Sequence, residues 1–323
     1  MSNVLLDVQG LKTYFPIKGG VVRKTVGYVH AVEDVSFTIG EQETFALVGE
    51  SGCGKSTTGR SILRLIEPTD GRVCFDGQDL RALDKEALRK KRRDMQLIFQ
   101  DPYSSLNPRM TMRKLLEEPL NTHFSLNQKE REERVNWIAD AVGFSRDQLD
   151  RYPHQFSGGQ RQRISIARAL ITNPRFVEAD EPVSALDVSI QAQVLNLLMK
   201  LQQELKLSYL FISHDLNVVR HISTRVAVMY LGRIVEMGDT EEIYCHPMHP
   251  YTLALLSAIP RRDPLDQKTR VHLEGDVPSP SNPPKGCAFH DRCTRCKPVC
   301  SETVPKPRRM PDGRLVACHL YDE

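Results

Sequence analysis

Gly49-Glu50-Ser51-Gly52-Cys53-Gly54-Lys55-Ser56 fits the spacing G-x-x-x-x-G-K-[ST], and it follows the apolar run Phe45-Ala46-Leu47-Val48 directly. Strand, glycine loop and helix, in that order, are the context in which this spacing holds phosphate. The glycines let the backbone wrap round phosphate oxygens, while exposed amides and a helix N-terminus supply partial positive charge. Lys55 adds a full charge, the Ser56 hydroxyl can ligate Mg²⁺, and Thr57 completes the nucleotide-binding stretch. A nucleoside triphosphate needs all of these at once.

Further short apolar runs surround this loop. Leu97-Ile98-Phe99, Tyr209-Leu210-Phe211-Ile212 and Val226-Ala227-Val228-Met229 alternate with helical stretches such as 161–172 and 189–205. Strands buried on both faces read as unbroken apolar runs, so an α/β domain with a mostly parallel sheet is expected. The stretch from about 112 to 150 is polar and helix-forming with no strand run, which predicts a helical lobe inserted in that core. Residues 17–30, with three glycines and several charges, predict an exposed loop between two early strands. A helix is expected around 250–259, followed by a Pro-rich linker at 278–284. Twelve of the 20 prolines fall between Pro247 and Pro311, and five of the 8 cysteines from Cys287 onward, so the last seventy or so residues are built differently.

Composition narrows the function classes. The 323 residues are 26% charged and 40% hydrophobic, ordinary globular usage. No apolar run approaches the ~18 residues of a spanning helix, and no secretory leader is recognisable, so a cytosolic location is expected. The net charge of +3, from 44 basic and 41 acidic residues, creates no field strong enough to make nucleic acid or anionic lipid the main partner. Arg89-Lys90-Lys91-Arg92-Arg93 is accordingly taken as a solvated helix face rather than a nucleic-acid patch.

Hydrolysis requires more than a phosphate loop, and the chain supplies further parts. Phe176 to Ala179 lead into Asp180-Glu181, where one carboxylate at a strand end can hold Mg²⁺ through water and the next can orient or deprotonate an attacking water. His214 follows Leu210-Phe211-Ile212-Ser213, at a second strand end, on the edge of an α/β sheet where ligands bind.

These motifs resemble the ATP-binding-cassette (ABC) ATPases. Phe156-Ser157-Gly158-Gly159-Gln160-Arg161-Gln162-Arg163 looks like that family's signature motif, Gln100 like the Q-loop glutamine, Ser184-Ala185-Leu186-Asp187 like the D-loop, and His214 like the switch histidine. Phe15, with Tyr14 as second choice, matches the aromatic that stacks on adenine. Gln100-Asp101-Pro102-Tyr103-Ser104-Ser105-Leu106-Asn107-Pro108-Arg109, Asp180 to Ser189, His249-Pro250-Tyr251-Thr252, Pro278-Ser279-Pro280 and Gly286-Cys287-Ala288-Phe289 resemble the dipeptide and oligopeptide importer subgroup, specifically the second of its two paired cassettes. The resemblance covers nearly the whole chain. It implies a P-loop NTPase core with an inserted helical subdomain and a small Cys/Pro-rich C-terminal domain, divided as a nucleotide-binding domain at 1–255 (helical subdomain about 101–172) and a C-terminal domain at 256–323.

It further implies a Mg²⁺-dependent ATPase on the cytoplasmic side of the cell inner membrane. Lys55 and Ser56 hold phosphate and metal, Asp180 and Gln100 belong to the metal shell, Glu181 orients the water and His214 meets the γ-phosphate. The implied partners are a second, homologous ATPase subunit, two membrane permease subunits and an extracytoplasmic substrate-binding protein, with no nucleic acid. In the paired state each nucleotide lies between one phosphate loop and the other subunit's Ser157, Gly158, Gly159 and Gln160, with Asp187 nearby. The alternatives are a cassette ATPase acting on nucleic acid or the ribosome, and a redox-regulated nucleotide switch. One residue departs from the family: Glu178 stands where an apolar residue is usual, and by period two it faces the same side as Asp180. A buried carboxylate there predicts either a salt bridge to a basic residue or a loss of stability.

The tail spacing Cys287-x5-Cys293-x2-Cys296-x3-Cys300-x17-Cys318 is dense for a cytosolic chain, where metal is a better explanation than disulfides. Cys287, Cys293, Cys300 and Cys318 match the subgroup's tail pattern, which resembles an iron–sulfur ligand set. Four thiolates suit a [4Fe–4S] cluster and also zinc, and free or crosslinked thiols stay open.

Overall fold

The computed structural model describes residues 3–19, 24–259, 273 and 275–322. In chain order the strands are β1 (Val4–Gly19), β2 (Lys24–Gly40), β3 (Thr44–Val48), β4 (Asp70–Phe75), β5 (Gln78–Asp79), β6 (Met95–Ile98), β7 (Phe176–Asp180), β8 (Ser208–Ser213), β9 (Arg225–Tyr230), β10 (Arg233–Asp239), β11 (Arg308–Arg309) and β12 (Leu315–Val316). The helices are α1 (Lys55–Ile62), α2 (Lys85–Lys91), α3 (Pro102–Ser105), α4 (Met112–His123), α5 (Gln128–Ala141), α6 (Gly158–Leu170), α7 (Val188–Leu205), α8 (Leu216–Ile222), α9 (Thr240–Cys245) and α10 (Pro250–Ser257). They form two compact units.

One unit holds Gly40–Thr44 and Ala82–Ile212. In it β7 lies between β6 and β8, all three parallel, with Ile98 level with Ala179 and Asp180 level with Ile212. Every residue of β7 and β8 is buried, so their sequences are unbroken apolar runs instead of alternating ones. Asp180 closes β7 and serines bound β8, but Glu178 stands inside its strand, fully buried and level with Leu97 and Leu210. The strand-free stretch expected at 112–150 is α4, α5 and a short turn of 3₁₀ helix at Arg146–Gln148. Asn127 and Glu130 close a capping box at the start of α5, satisfying amides that the first turn leaves open. Arg168 of α6 reaches both the Ser105 carbonyl (2.8 Å) and the Glu118 carboxylate of α4 (2.9 Å). The basic run ends α2, where Arg89, Lys90 and Arg93 are exposed, and cations suit a helix C-terminus.

The second unit holds Val4–Ile39, Phe45–Arg81 and the chain from Ser213 onward. Its first sheet has the order β2-β1-β4-β5. Its second places β3 beside β9 in parallel, Val48 level with Val228, and continues antiparallel through β10, β12 and β11. The Cys-rich end therefore adds two short strands to the sheet from which the phosphate loop departs. The Pro-rich stretch is tied down as well, since the Pro280 carbonyl accepts from the His30 amide at 3.0 Å.

One expectation fails here. Residues 17–19 and 24–30 are strand instead of loop, because β1 runs to Gly19 and β2 begins at Lys24; residues 20–23 lie outside the described residues. β1 and β2 are neighbours in the sheet, and a Cβ placed on Gly19 would meet the Val26 side chain at 3.0 Å. The β-branched and aromatic residues Thr25, Val26, Tyr28 and Val29 favour a pleated strand strongly enough to carry the glycines along. Among the described residues, no helix is long and apolar enough to cross a membrane.

Candidate nucleotide site

The phosphate loop leaves β3 and enters α1. Gly49 (φ 154) and Gly54 (φ 105) are where the loop requires glycine: a Cβ would stand 2.2 Å from the Met229 carbonyl oxygen at the first and 2.1 Å from that of Ala31 at the second. The loop is thus pressed against β9 and β2, and only residues without a side chain fit. Lys55, 5% exposed, folds back so that its Nζ donates to the carbonyls of Gly49 (2.8 Å) and Glu50 (3.0 Å). Ser51 and Gly52 are exposed at the tip, whereas Cys53 is buried and its thiol pushed up by that burial. Ser56 and Thr57 follow in the first turn of α1.

Phe15 of β1 is 38% exposed, as a ring available for stacking would be. Its neighbour Tyr14 is engaged instead: its hydroxyl donates to Glu33 at 2.7 Å, and burial with that carboxylate raises its pKa. Glu33 also meets His30 Nδ1 at 2.9 Å, and its pKa is lowered: burial alone would raise it, but hydrogen bonds from His30 and Tyr14 outweigh burial. His214 is exposed immediately after β8, and Asp215 caps α8.

In the other unit, Asp180 is the last residue of β7 and is 1% exposed. Glu181 follows in a left-handed conformation (φ 46), its amide donating to the Ile212 carbonyl at 2.9 Å. Its carboxylate accepts a 2.8 Å hydrogen bond from Gln100 Nε2, so two residues 81 apart in sequence meet. Ser157 caps α6. Its hydroxyl accepts from the Gln160 amide (3.3 Å) while the Gln160 side chain accepts from the Ser157 amide (3.0 Å), leaving the amides of Gly158 and Gly159 at the exposed helix end. Asp187 is exposed at the start of α7.

The tail cysteines come together only in part. Cys287, Cys300 and Cys318 are buried, Cys293 is half-buried and Cys296 exposed. Burial, with repulsion from Cys300, Cys318 and Cys293, pushes the Cys287 thiol up to about 11. Among the described residues, no three His, Cys, Asp or Glu side chains are arranged to hold a single metal ion.

The sequence reading missed what stands behind the phosphate loop. The Glu50 amide donates to the Tyr251 hydroxyl at 2.9 Å, and the Glu50 carboxylate is gripped by Arg292 through Nη1 (2.8 Å) and Nη2 (3.2 Å). The signal available was His249-Pro250-Tyr251-Thr252. His249 caps α10 by accepting from the Tyr251 amide (3.1 Å), Pro250 opens the helix, and Tyr251 is thereby aimed at the loop. Burial depresses His249 to about 3, so it serves as a neutral acceptor.

Known proteins resemble this chain along nearly its whole length. A family profile described as "ABC transporter" matches residues 32–184, and one described as "Oligopeptide/dipeptide transporter, C-terminal region" matches 235–300. The chain is 53% identical to the oligopeptide transport ATP-binding protein AppF of Bacillus subtilis (strain 168), over 99% of this chain and 98% of that protein. It is 52% identical to the dipeptide transport ATP-binding protein DppF of Haemophilus influenzae, over 98% and 97%. Among solved structures, the dimeric post-hydrolysis state of the ATP-binding cassette MJ0796 bound to ADP and Pi matches with TM-score 0.65 and 29% identity, covering 73% of this chain and 99% of that one. Identity above half along nearly the entire length is membership: the chain belongs to the ABC transporter family, as one of its oligopeptide/dipeptide-type ATP-binding proteins.

Proposed function

We propose that this chain is the Mg²⁺-dependent ATPase subunit that powers import of dipeptides or oligopeptides through a membrane ABC transporter, seated peripherally on the cytoplasmic side of the inner membrane. Its relatives are dipeptide and oligopeptide transport ATP-binding proteins, which favours this over action on nucleic acid or the ribosome. In this reading Phe15 stacks on adenine, and Lys55 with the amides of Gly49 to Ser56 holds the phosphates. Ser56, Gln100 and Asp180 would hold Mg²⁺, which supplies charge neutralisation at the phosphate oxygens. Glu181 receives the proton of, or orients, the attacking water, and His214 donates to the γ-phosphate.

The observation that carries the reading is the Gln100–Glu181 hydrogen bond at the end of β7. Glu181 sits on a backbone twisted to positive φ and pinned to Ile212, so its carboxylate is aimed by the strand end and held by Gln100 before any substrate arrives. Ser157, Gly158, Gly159 and Gln160 would face the nucleotide of a second, homologous ATPase subunit, with Asp187 beside them; that the MJ0796 cassette is dimeric with ADP and Pi bound supports pairing as such. Two permease subunits and an extracytoplasmic substrate-binding protein complete the importer. Residues 1–255 would form the nucleotide-binding domain, with a helical subdomain at about 101–172, and 256–323 the C-terminal domain. Cys287, Cys293, Cys300 and Cys318 would supply the four thiolates of a [4Fe–4S] cluster, which would tie the tail together.

Glu181→Gln tests the assignment. ATP turnover by the assembled transporter should fall by at least about 10² while nucleotide affinity stays within a few-fold, the range expected for losing a positioned general base. Unchanged turnover would refute it.

A further inference from the structure

We propose that Arg292, in the Cys-rich tail, is a positioning residue for the nucleotide: it neutralises Glu50 and fixes the phosphate loop in its binding conformation. The inference rests on the ATPase reading above and assigns a role to the tail within that site.

Glu50 is the second residue of the loop, and a carboxylate there is the wrong sign for a triphosphate. Arg292 grips it with two nitrogens, at 2.8 and 3.2 Å. Paired forks of this kind are directional as well as attractive. The Arg292 side chain is 8% exposed and that of Glu50 26%, so water screens the pair less than it would a surface pair. The guanidinium is held in turn by the Tyr230 hydroxyl at 3.5 Å, and the carboxylate raises its pKa. Tyr251 takes the Glu50 amide from the other side, so both the main chain and the side chain of this residue are occupied by groups from beyond residue 230. Tyr230, Tyr251 and Phe289 pack edge to face or tilted, with ring centres 4.7 to 5.3 Å apart, and give these groups a rigid backing. Gly49, one residue earlier, lies so close to Met229 that a Cβ there would meet its carbonyl oxygen. A loop clamped at two successive residues loses little further freedom when phosphate enters it.

The experiment uses the full-length chain, measuring the Kd of fluorescent mant-ATP with Mg²⁺, thermal melting, and hydrogen exchange at the Glu50 to Lys55 amides. Arg292→Ala should raise the Kd about tenfold, equal to about 1.4 kcal/mol, and speed exchange in the loop. Arg292→Lys should recover part of the affinity, since it restores charge without the fork. Glu50→Gln in the Arg292→Ala background should bring the Kd back to within about threefold of wild type, because the uncompensated charge is gone; a role confined to packing predicts no such rescue. Arg292→Ala that melts as wild type yet binds mant-ATP equally well would overturn the proposal. If Arg292→Ala melts early, the Glu50→Gln rescue decides, and its absence counts against. Wild-type protein that binds no mant-ATP would sink the ATPase reading itself, a distinct failure.

Discussion

Gly159 offers a test in which packing and chemistry separate. A Cβ added there would stand 2.3 Å from Cγ2 of Ile190, while its distances to Cβ and Cγ1 of that residue are 3.7 and 3.9 Å. One methyl group of one half-buried side chain is therefore the whole obstacle. Overpacking of this kind costs about 1–3 kcal/mol, and replacing glycine by alanine inside a helix returns roughly 0.5–1 kcal/mol. Gly159→Ala should then lose about 1–2 kcal/mol, seen as a Tm fall of about 1.5–3 °C for a chain of this size. Ile190→Ala removes the obstructing methyl group. In that background Gly159→Ala should cost nothing or stabilise slightly, a coupling of about 1–2 kcal/mol in the double-mutant cycle.

Activity should behave differently. If the amides of Gly158 and Gly159 must approach a phosphate closely, a Cβ at 159 keeps it away whether or not Ile190 is trimmed. The assay is scanning calorimetry on the four proteins of the cycle, alongside steady-state ATPase of the assembled transporter. The double variant should melt like Ile190→Ala but hydrolyse ATP at least about tenfold more slowly, the loss of roughly one hydrogen bond to a charged group. Equal turnover in the two would show that Gly159 is there only to admit Ile190. Additive Tm shifts would show that the contact itself carries no strain.

Three other outcomes follow from buried groups. His249, depressed to about 3 in the fold against about 6.5 when unfolded, leaves the unfolded chain binding more protons between those values. Its contribution to stability is thus full above about pH 6.5 and is lost as pH falls, at up to about 1.4 kcal/mol per unit. Glu236, pushed up by burial, works in the opposite direction, so urea midpoints should be compared with those of His249→Asn, which keeps a capping side chain and should show a flatter slope between pH 6.5 and 5. Glu178→Ile places a β-branched side chain level with Leu97 and Leu210 and should raise the Tm by a few degrees, since a fully buried carboxylate is often worth less than an apolar residue of similar volume; an unchanged or lower Tm would show that the carboxylate is well compensated. Protein purified anaerobically should be brown and carry about four irons per chain if the tail holds a cluster, and colourless, iron-free material from that preparation would remove it.

Sequence alone located the parts whose chemistry is local. The phosphate loop is legible because glycine, lysine and serine at fixed spacing do one job, and the strand before it is unbroken apolar sequence from Phe45 to Val48. The signature-like stretch from Phe156 to Arg163 is legible because it is contiguous, whereas the capping box that Ser157 and Gln160 close within it was not read. The extension of β1 to Gly19 and the start of β2 at Lys24 were missed because glycine and charge were weighed above the β-branched residues around Val26. Arg292 was missed for a different reason, since nothing near it in sequence refers to Glu50, 242 residues away. Even so, a trace of that contact lies in His249-Pro250-Tyr251. Burying a histidine deeply enough to hold it neutral is costly for a helix cap that serine or aspartate could supply. The expense makes sense once α10 is seen to aim Tyr251 at the Glu50 amide, because a cap packed against Phe289 fixes the helix start more rigidly than an exposed serine would. The tail and the phosphate loop were read as separate features, yet the same three aromatic rings support both, and a change in one should be felt in the other.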